Sequence, residues 1–336
     1  AAVTGQWEEM ILRAPKDAPI NRCVLTEEQI QNGKKHLADA VAHRQKKEEN
    51  FYDKELADKA LEGFSGEERE RLDEIMRQAK GNQKEIADFL ILDSRGEWPA
   101  DWKLKVLNSL REKDYLDITC SILEEQCRMT AQYKDQFGEE ILVPYLLCPR
   151  VGNEMIRSHR EYLNTRFTQE EKEAMRSNPA SVWKMAQETL KADPNLEYGN
   201  LITSAKGALE SGYGSTLTQK IVSVQILRAI GVPARLNPVD GILEQCTADG
   251  FIPLETRKDE SAGRSAAIIV NRQEGQIWTY FHNWTIARFD GKAYVTLQLA
   301  EDENGEEVYG EIPVMPGQYR VLTANRLPNG NIFAKE

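Results

Sequence analysis

The sequence has few cysteines, and none of them are arranged for a disulfide framework or a zinc site. Its five cysteines in 336 residues include no Cys-x-x-Cys pair, so we expect neither structure, and no metal or other cofactor. Cys120 and Cys127 are spaced for one helix face and are predicted to be small core residues. Cys246, in "ILEQCTADG", is predicted to lie in a loop, with a catalytic thiol as the open alternative.

The sequence also lacks an excess of positive charge and a long apolar run. It has 43 Lys and Arg against 54 Asp and Glu, a net charge of −11. This balance argues against a nucleic-acid partner. No apolar run approaches the roughly 20 residues that cross a bilayer, so no membrane span is predicted. The first residues, "AAVTGQWEEM", show no signal peptide and no Met, and we expect the chain to be a piece of a longer protein.

What the sequence does contain is a series of helix signals over 23–198, after an irregular lead-in over 1–22. Thr26, Ser65 and Thr168 each start a capping box that Gln or Glu closes three residues later. From Gly199 the pattern changes, and strands are predicted over 265–270, 277–289 and 292–299. Helices followed by strands indicate an α+β fold, with a core over 199–300 and a β-rich tail over 301–336 that starts a further domain.

The most informative stretch is "GSTLTQKIVSVQILRAIGVPAR", residues 214–235. Leu217, Ile221, Val224 and Leu227 recur at helical spacing, which predicts a buried helix over 215–230. Gly231 suits the left-handed residue that follows a helix. A thiol at the start of such a helix is activated by the amide dipoles, but these positions hold hydroxyl residues.

This stretch resembles the core of the transglutaminase-like superfamily, which has the papain-like fold. The family pattern is Gly-x-Cys, a buried helix, then Arg-Ala-x-Gly-[Ile/Val]-Pro-Ala-Arg, matched here by "RAIGVPAR" (228–235). "HNWTIARFDGKAYVTLQL" resembles the family's His-x-Trp strand and the strand after it. More loosely, with "PRVGNEMIRSHREYL" from Pro149, the chain resembles secreted transglutaminase-like proteins of gut Bacteroidetes. That resemblance implies an extracytoplasmic location, in the periplasm or at the cell surface.

The departures from the family pattern decide the functional expectation. The family's catalytic Cys, His and Asp positions fall on Thr216, His282 and Gln298, so two of the three groups are replaced. A Thr hydroxyl needs a strong base to become a nucleophile. Neutralising the acid of a comparable triad costs roughly 10⁴ in rate. We therefore expect a catalytically inactive module.

The predicted function is binding of an extended peptide, a protein or a glycan in the former active-site groove. Tyr213, Ser215 and Trp284 are the expected binding residues, beside the three degenerate triad positions. The enzymatic alternative is a hydrolase or acyl transferase that uses Ser215 or Thr216 with His282 as its base. His282 and Gln298 share a strand face only if the Asp290-Gly291 turn is a three-residue loop with a bulge, and a two-residue loop places them on opposite faces.

A third hypothesis makes the helical region the working surface. It assigns partner binding to the charged residues around Arg150 and Glu154, while the core only supports them. His159 lies in the same charged stretch and is predicted to be solvated.

Overall fold

The computed structural model describes residues 25–193, 202–247, 250–255, 266–269, 279–281, 284–289, 293–299, 311–314, 317–326 and 332–335. The helices are α1 (Glu27–Glu49), α2 (Lys54–Ala60), α3 (Gly66–Gln78), α4 (Gln83–Ile91), α5 (Trp102–Asn108), α6 (Cys120–Thr130), α7 (Glu139–Leu142), α8 (Arg160–Arg166), α9 (Gln169–Ser177), α10 (Ala180–Thr189), α11 (Ala205–Ser211) and α12 (Thr216–Ala229). The strands are β1 (Ala234–Leu236), β2 (Leu243–Thr247), β3 (Gly250–Pro253), β4 (Ala266–Ile269), β5 (Trp284–Phe289), β6 (Tyr294–Thr296), β7 (Glu311–Val314), β8 (Tyr319–Arg326) and β9 (Ile332–Lys335).

Helices precede strands along the chain, which confirms the α+β class. The chain divides into two compact units. The larger comprises His36–Leu236 and Ile242–Thr256, and the smaller comprises Ala1–Lys35, Asn237–Gly241 and Arg257–Glu336. The predicted lead-in over 1–22 lies outside the described residues. No helix in the described part of the chain has the length and apolar character needed to cross a membrane.

The larger unit has two apolar clusters. One is built mainly from helices α2 to α6, and Leu72, Phe89 and Leu123 are among its fully buried side chains. The other surrounds α12, from which Val222 and Leu227 contribute fully buried side chains. Burial of each such side chain contributes about 1.5–3 kcal/mol, so these clusters account for much of the unit's stability.

Two of the three predicted capping boxes form. Thr26 N donates to Gln29 Oε1 at 2.8 Å while Gln29 N donates to Thr26 Oγ1 at 3.2 Å. Thr168 and Glu171 make the same reciprocal pair at the start of α9. Ser65 precedes α3 as predicted, but its side chain makes no capping bond, so the box predicted there is wrong.

Strands β1, β2 and β3 form an antiparallel sheet in the larger unit. Ala234 pairs with Gln245, and Cys246 pairs with Phe251. Cys246 therefore lies in a strand, and the loop predicted for it is wrong. The segment shows no strict apolar alternation that would identify the strand, because Ile242, Leu243 and Glu244 are all buried in succession.

The smaller unit contains a pair, β4–β7, and a four-stranded sheet in the order β6-β5-β8-β9. Both contain strands from either side of residue 300, the predicted end of the core. The single strand predicted over 277–289 is wrong. Phe281 has a φ of 60° and its N–H donates to Trp284 O at 3.0 Å, so the chain turns there and β5 begins only at Trp284.

Candidate functional site

The start of α12 is held by its N-cap residue, Ser215. The Ser215 Oγ accepts the Thr218 N–H at 3.2 Å and donates to Thr218 Oγ1 at 3.3 Å. Both contacts tie this hydroxyl to the first turn of its own helix, which is the ordinary role of a cap serine. The arrangement stabilises the start of α12 through the Ser215 hydroxyl.

The loop ahead of the cap is fixed by backbone contacts. Lys191 N donates to Gly212 O at 2.8 Å, and Gly214 N donates to Lys191 O at 3.0 Å. The Gln219 amide donates to Gly214 O at 3.3 Å and to Leu190 O at 2.9 Å. A Cβ on Gly214 would lie 2.8 Å from Thr218 Cγ2, so the close approach requires glycine. The backbone before α12 is therefore positioned from two sides.

Three neighbouring side chains at this helix start face solvent, and we call them the helix-start patch. Tyr213 is 38% exposed and Leu217 is 39% exposed, and Thr216, the first residue of α12, is also exposed. An exposed aromatic ring beside an aliphatic side chain and a hydroxyl can pack on a ligand and hydrogen-bond to it. The patch includes two of the six predicted site residues, Tyr213 and Thr216, and lies directly beside another, Ser215.

The remaining predicted site residues belong to the smaller unit or lie outside the described part. His282 lies outside the described residues, so its position as the imidazole of a triad stays a prediction. Gln298 is exposed, and its backbone N–H donates to Val239 O at 2.8 Å. Trp284 is only 3% exposed and packs with Tyr280 in the apolar core of its unit. Its indole serves packing there, which does not support the predicted role in ligand binding.

The pairing of β5 with β6 bears on the orientation of Gln298. Phe289 pairs with Tyr294, which differs from the register that a two-residue Asp290-Gly291 loop requires, and the Asp290-Gly291 turn itself lies outside the described residues. Leu297 N donates to Ile286 O at 2.9 Å, and both side chains are buried in the core of the smaller unit. Gln298 follows the end of β6, and its exposed side chain is not part of that core.

The thiols of Cys120, Cys127 and Cys246 are not suited to act as nucleophiles. Burial raises the pKa of Cys246, and it raises that of Cys120 to about 11, the nearby Glu124 carboxylate adding to the effect. Burial also raises the pKa of Cys127, far more than the nearby Arg160 lowers it. A thiol with a raised pKa is protonated near neutral pH and inert. The alternative that gave Cys246 a catalytic role is thereby disfavoured. Cys120 and Cys127 pack in or against the first apolar cluster, as predicted.

The third hypothesis required Arg150 and Glu154 to lie on an exposed working surface. They are only 6% and 4% exposed, so they do not form one. Arg150 Nε donates to Asp114 Oδ2 at 2.6 Å, and Arg150 Nη2 donates to Asp114 Oδ1. Arg150 Nη1 donates to the Gly152 and Glu154 carbonyls at 2.8 Å each. Burial acts to raise the pKa of Asp114, but bonds from Arg150 and the Arg111 N–H outweigh it and hold that pKa below its ordinary value.

Glu154 completes this internal structure. Its carboxylate accepts the Val151 N–H at 2.8 Å and the Gly152 N–H at 2.7 Å. Arg228, from the "RAIGVPAR" segment, donates to the carbonyls of Cys148 and Arg150 at 2.8 Å and to that of Ala234 at 2.9 Å. The "RAIGVPAR" segment and the "PRVGNEMIRSHREYL" segment therefore contact each other through the buried Arg228 guanidinium.

His159 is 5% exposed, so the prediction that it is solvated is wrong. Its Nδ1 lies 2.7 Å from Arg157 O. Burial lowers the pKa of His159, the backbone bond to Arg157 O opposing the shift and the neighbouring Arg160 charge adding to it. A neutral imidazole is thus the form that the folded chain accommodates.

The described residues contain no group of three or more His, Cys, Asp or Glu arranged to hold a metal ion. Comparison with known proteins adds no identity to this geometry. No family model matches the chain, and neither a curated protein nor a solved structure matches it.

Proposed function

We propose that the chain is a catalytically inactive transglutaminase-like module that binds an extended peptide at the start of α12. The observation that carries the proposal is the engagement of Ser215 as a helix cap beside the exposed helix-start patch. The segment keeps the buried helix and the fixed loop that would present a nucleophile. It offers hydroxyls in place of the thiol.

The chemistry of those hydroxyls supports binding over acyl transfer. A helix dipole stabilises an anion by about 1 kcal/mol, which is far too little to ionise an alcohol near neutral pH. Within the described residues, no carboxylate or imidazole hydrogen-bonds to the Thr216 hydroxyl. The enzymatic alternative requires His282 to supply that base to Ser215 or Thr216.

The exposed groups support a peptide as the ligand. The Tyr213 ring and the Leu217 side chain offer apolar contact area, and the Thr216 hydroxyl offers one donor and two acceptors for a peptide backbone. Aromatic side chains at interfaces tend to carry much of the binding energy. The resemblance that implies this module also implies that it acts in the periplasm or at the cell surface.

Binding to immobilised arrays of unstructured peptides and of glycans tests the proposal. We expect saturable binding to a subset of the peptides and a loss of about tenfold or more in affinity for Tyr213→Ala. Phe51→Ala is the matched control, because Phe51 is an exposed aromatic residue, at 54%, elsewhere in the larger unit. Binding to glycans alone would reject the peptide assignment, and equal losses in both variants would reject the patch.

A further inference from the structure

A cleft of about 510 Å³ lies in the larger unit, apart from the helix-start patch, and we call it the basic cleft. Its lining residues come from two separate segments, and they are Met155, Arg157, Ser158, Ile202, Ser204 and Lys206. The volume lies within the range typical of small-molecule sites. Helix α11 begins at this cleft and ends just before Tyr213, so the two surfaces flank one short helix.

The two cations of the basic cleft are weakly compensated. Arg157 is exposed, and its guanidinium has no hydrogen bond or ion pair within the described part of the chain. The Lys206 ammonium lies 4.0 Å from Glu210 Oε1, with both side chains more than half exposed, an arrangement that contributes little energy. In a chain with a net charge of −11, two such cations facing one cleft form a local site for negative charge.

Ser204 adds a third donor to this site. Its Oγ accepts the Gly207 N–H at 3.2 Å, which uses a lone pair and leaves its proton free to donate to a ligand. Ser158 differs, because its hydroxyl donates to Glu125 Oε2 at 2.8 Å. The second oxygen of that buried carboxylate accepts the Glu161 N–H at 2.8 Å, so the charge of Glu125 is met by hydrogen bonds from both sides.

The remaining lining residues are apolar. Met155 is 53% exposed, and its flexible thioether suits a ligand surface of variable shape. Ile202 is partly buried on the other segment. A site that combines cationic and hydroxyl donors with two apolar side chains matches a ligand with one charged end and one apolar end.

We propose that the basic cleft binds a small organic anion, with its carboxylate or phosphate group held by Arg157, Lys206 and Ser204 and its apolar part against Met155 and Ile202. The site is independent of the peptide-binding role proposed for the helix-start patch. Arginine supplies two parallel donors to such a group, while lysine supplies a point charge.

Isothermal titration calorimetry with three probes of one size tests this proposal. Benzoate carries a carboxylate, phenyl phosphate carries a phosphate, and benzyl alcohol carries neither. We expect saturable binding of at least one anion at millimolar concentration, weakened by added salt, and no binding of benzyl alcohol. The stronger of the two anions identifies the charged group that the site prefers.

Three variants decide whether the heat comes from the basic cleft. Arg157→Gln and Lys206→Gln are each expected to lower the affinity for the anion about tenfold or more. Lys184→Gln is the matched control, because Lys184 is an exposed helical lysine 3.8 Å from the carboxylate of Glu188, four residues later. It should bind as the wild type does. Absence of saturable binding by both anions, or equal affinity in all variants, would overturn the proposal.

Discussion

Removal of the Arg150 side chain is expected to be among the most damaging single substitutions in the larger unit. Arg150→Met keeps much of the aliphatic stem and deletes the guanidinium. Asp114, whose side chain is 0% exposed, then keeps a bond from Arg111 N at 3.0 Å and one from Lys113 Nζ at 3.1 Å. The carbonyls of Gly152 and Glu154 each lose the donor described above.

The magnitude follows from leaving a buried carboxylate without its main partner. Breaking a buried ion pair on one side costs about 3–5 kcal/mol, against a total stability of about 5–15 kcal/mol for a domain. Arg128→Met supplies the matched control. Arg128 pairs with Glu161 at 3.2 Å, but the two side chains are 39% and 64% exposed, so the loss should stay below about 1 kcal/mol.

Urea unfolding followed by far-ultraviolet circular dichroism measures both variants, since the larger unit contains most of the helical signal. We expect a clear fall in the unfolding midpoint for Arg150→Met and little change for Arg128→Met. Asp114→Asn with Arg150→Met should cost less than the sum of the single variants. A loss below about 1 kcal/mol for Arg150→Met would refute the view that this pair holds the segment.

Three further predictions concern backbone, pH and thiol chemistry. Gly231 has a φ of 87°, and a Cβ there would lie 2.3 Å from the Tyr133 ring, so Gly231→Ala should cost well over the roughly 1–2 kcal/mol of a left-handed alanine. Gly96 has a φ of 77° and open space around it, so Gly96→Ala should show that backbone cost alone. If urea titration gives the two variants equal losses of unfolding free energy, the contact with Tyr133 makes no steric contribution. In the folded chain the pKa of His159 is lowered from 6.5, so as the pH falls the unfolded chain takes up the proton at a higher pH than the folded chain does. The free energy of unfolding therefore falls below about pH 6.5, by up to about 1.4 kcal/mol per pH unit. The free energy of unfolding of His159→Gln, measured between pH 7.5 and 5, should lack that loss. If this free energy depends on pH in the variant as it does in the wild type, His159 is not the group responsible. Thr216→Cys should introduce a thiol whose pKa is below about 8.5, because it lies at a helix start. The rate of its labelling by iodoacetamide, measured across pH, tests this. A new thiol that reacts no faster than the buried native thiols would contradict the prediction.

The sequence predicted features that depend on neighbouring residues. The burial of Ile221, Val224 and Leu227 in α12, the caps at Thr26 and Thr168, and the left-handed Gly231 follow from spacing within a few turns and are confirmed. Leu217, which the same stripe predicts to be buried, is 39% exposed. Ser65 shows the limit, because the same capping pattern occurs there without the hydrogen bond.

Features that join distant segments were not predictable in the same way. Asp114 and Arg150 are 36 residues apart, and no local pattern marks their charges as a buried pair in place of a solvated surface. The turn at Phe281 escaped detection because the apolar alternation continues through it, while its φ of 60° is set by the contacts around it.

The candidate site divides along the same line. Tyr213, Ser215 and Thr216 lie within four consecutive residues, so their proximity at the start of α12 was predictable. The exposure of Tyr213 and the burial of Trp284 were not, because both depend on packing by other segments. His282 lies outside the described residues, and its role remains a prediction.

The most direct test of the inactive-module account is the hydrolysis of 4-nitrophenyl acetate by the intact chain, Ser215→Ala, Thr216→Val and His282→Ala. The account predicts that all four proteins release 4-nitrophenolate at the same slow rate, because no activated hydroxyl is present. A wild-type rate well above background that falls in Ser215→Ala or Thr216→Val and also in His282→Ala would show a working nucleophile and base, and would contradict it.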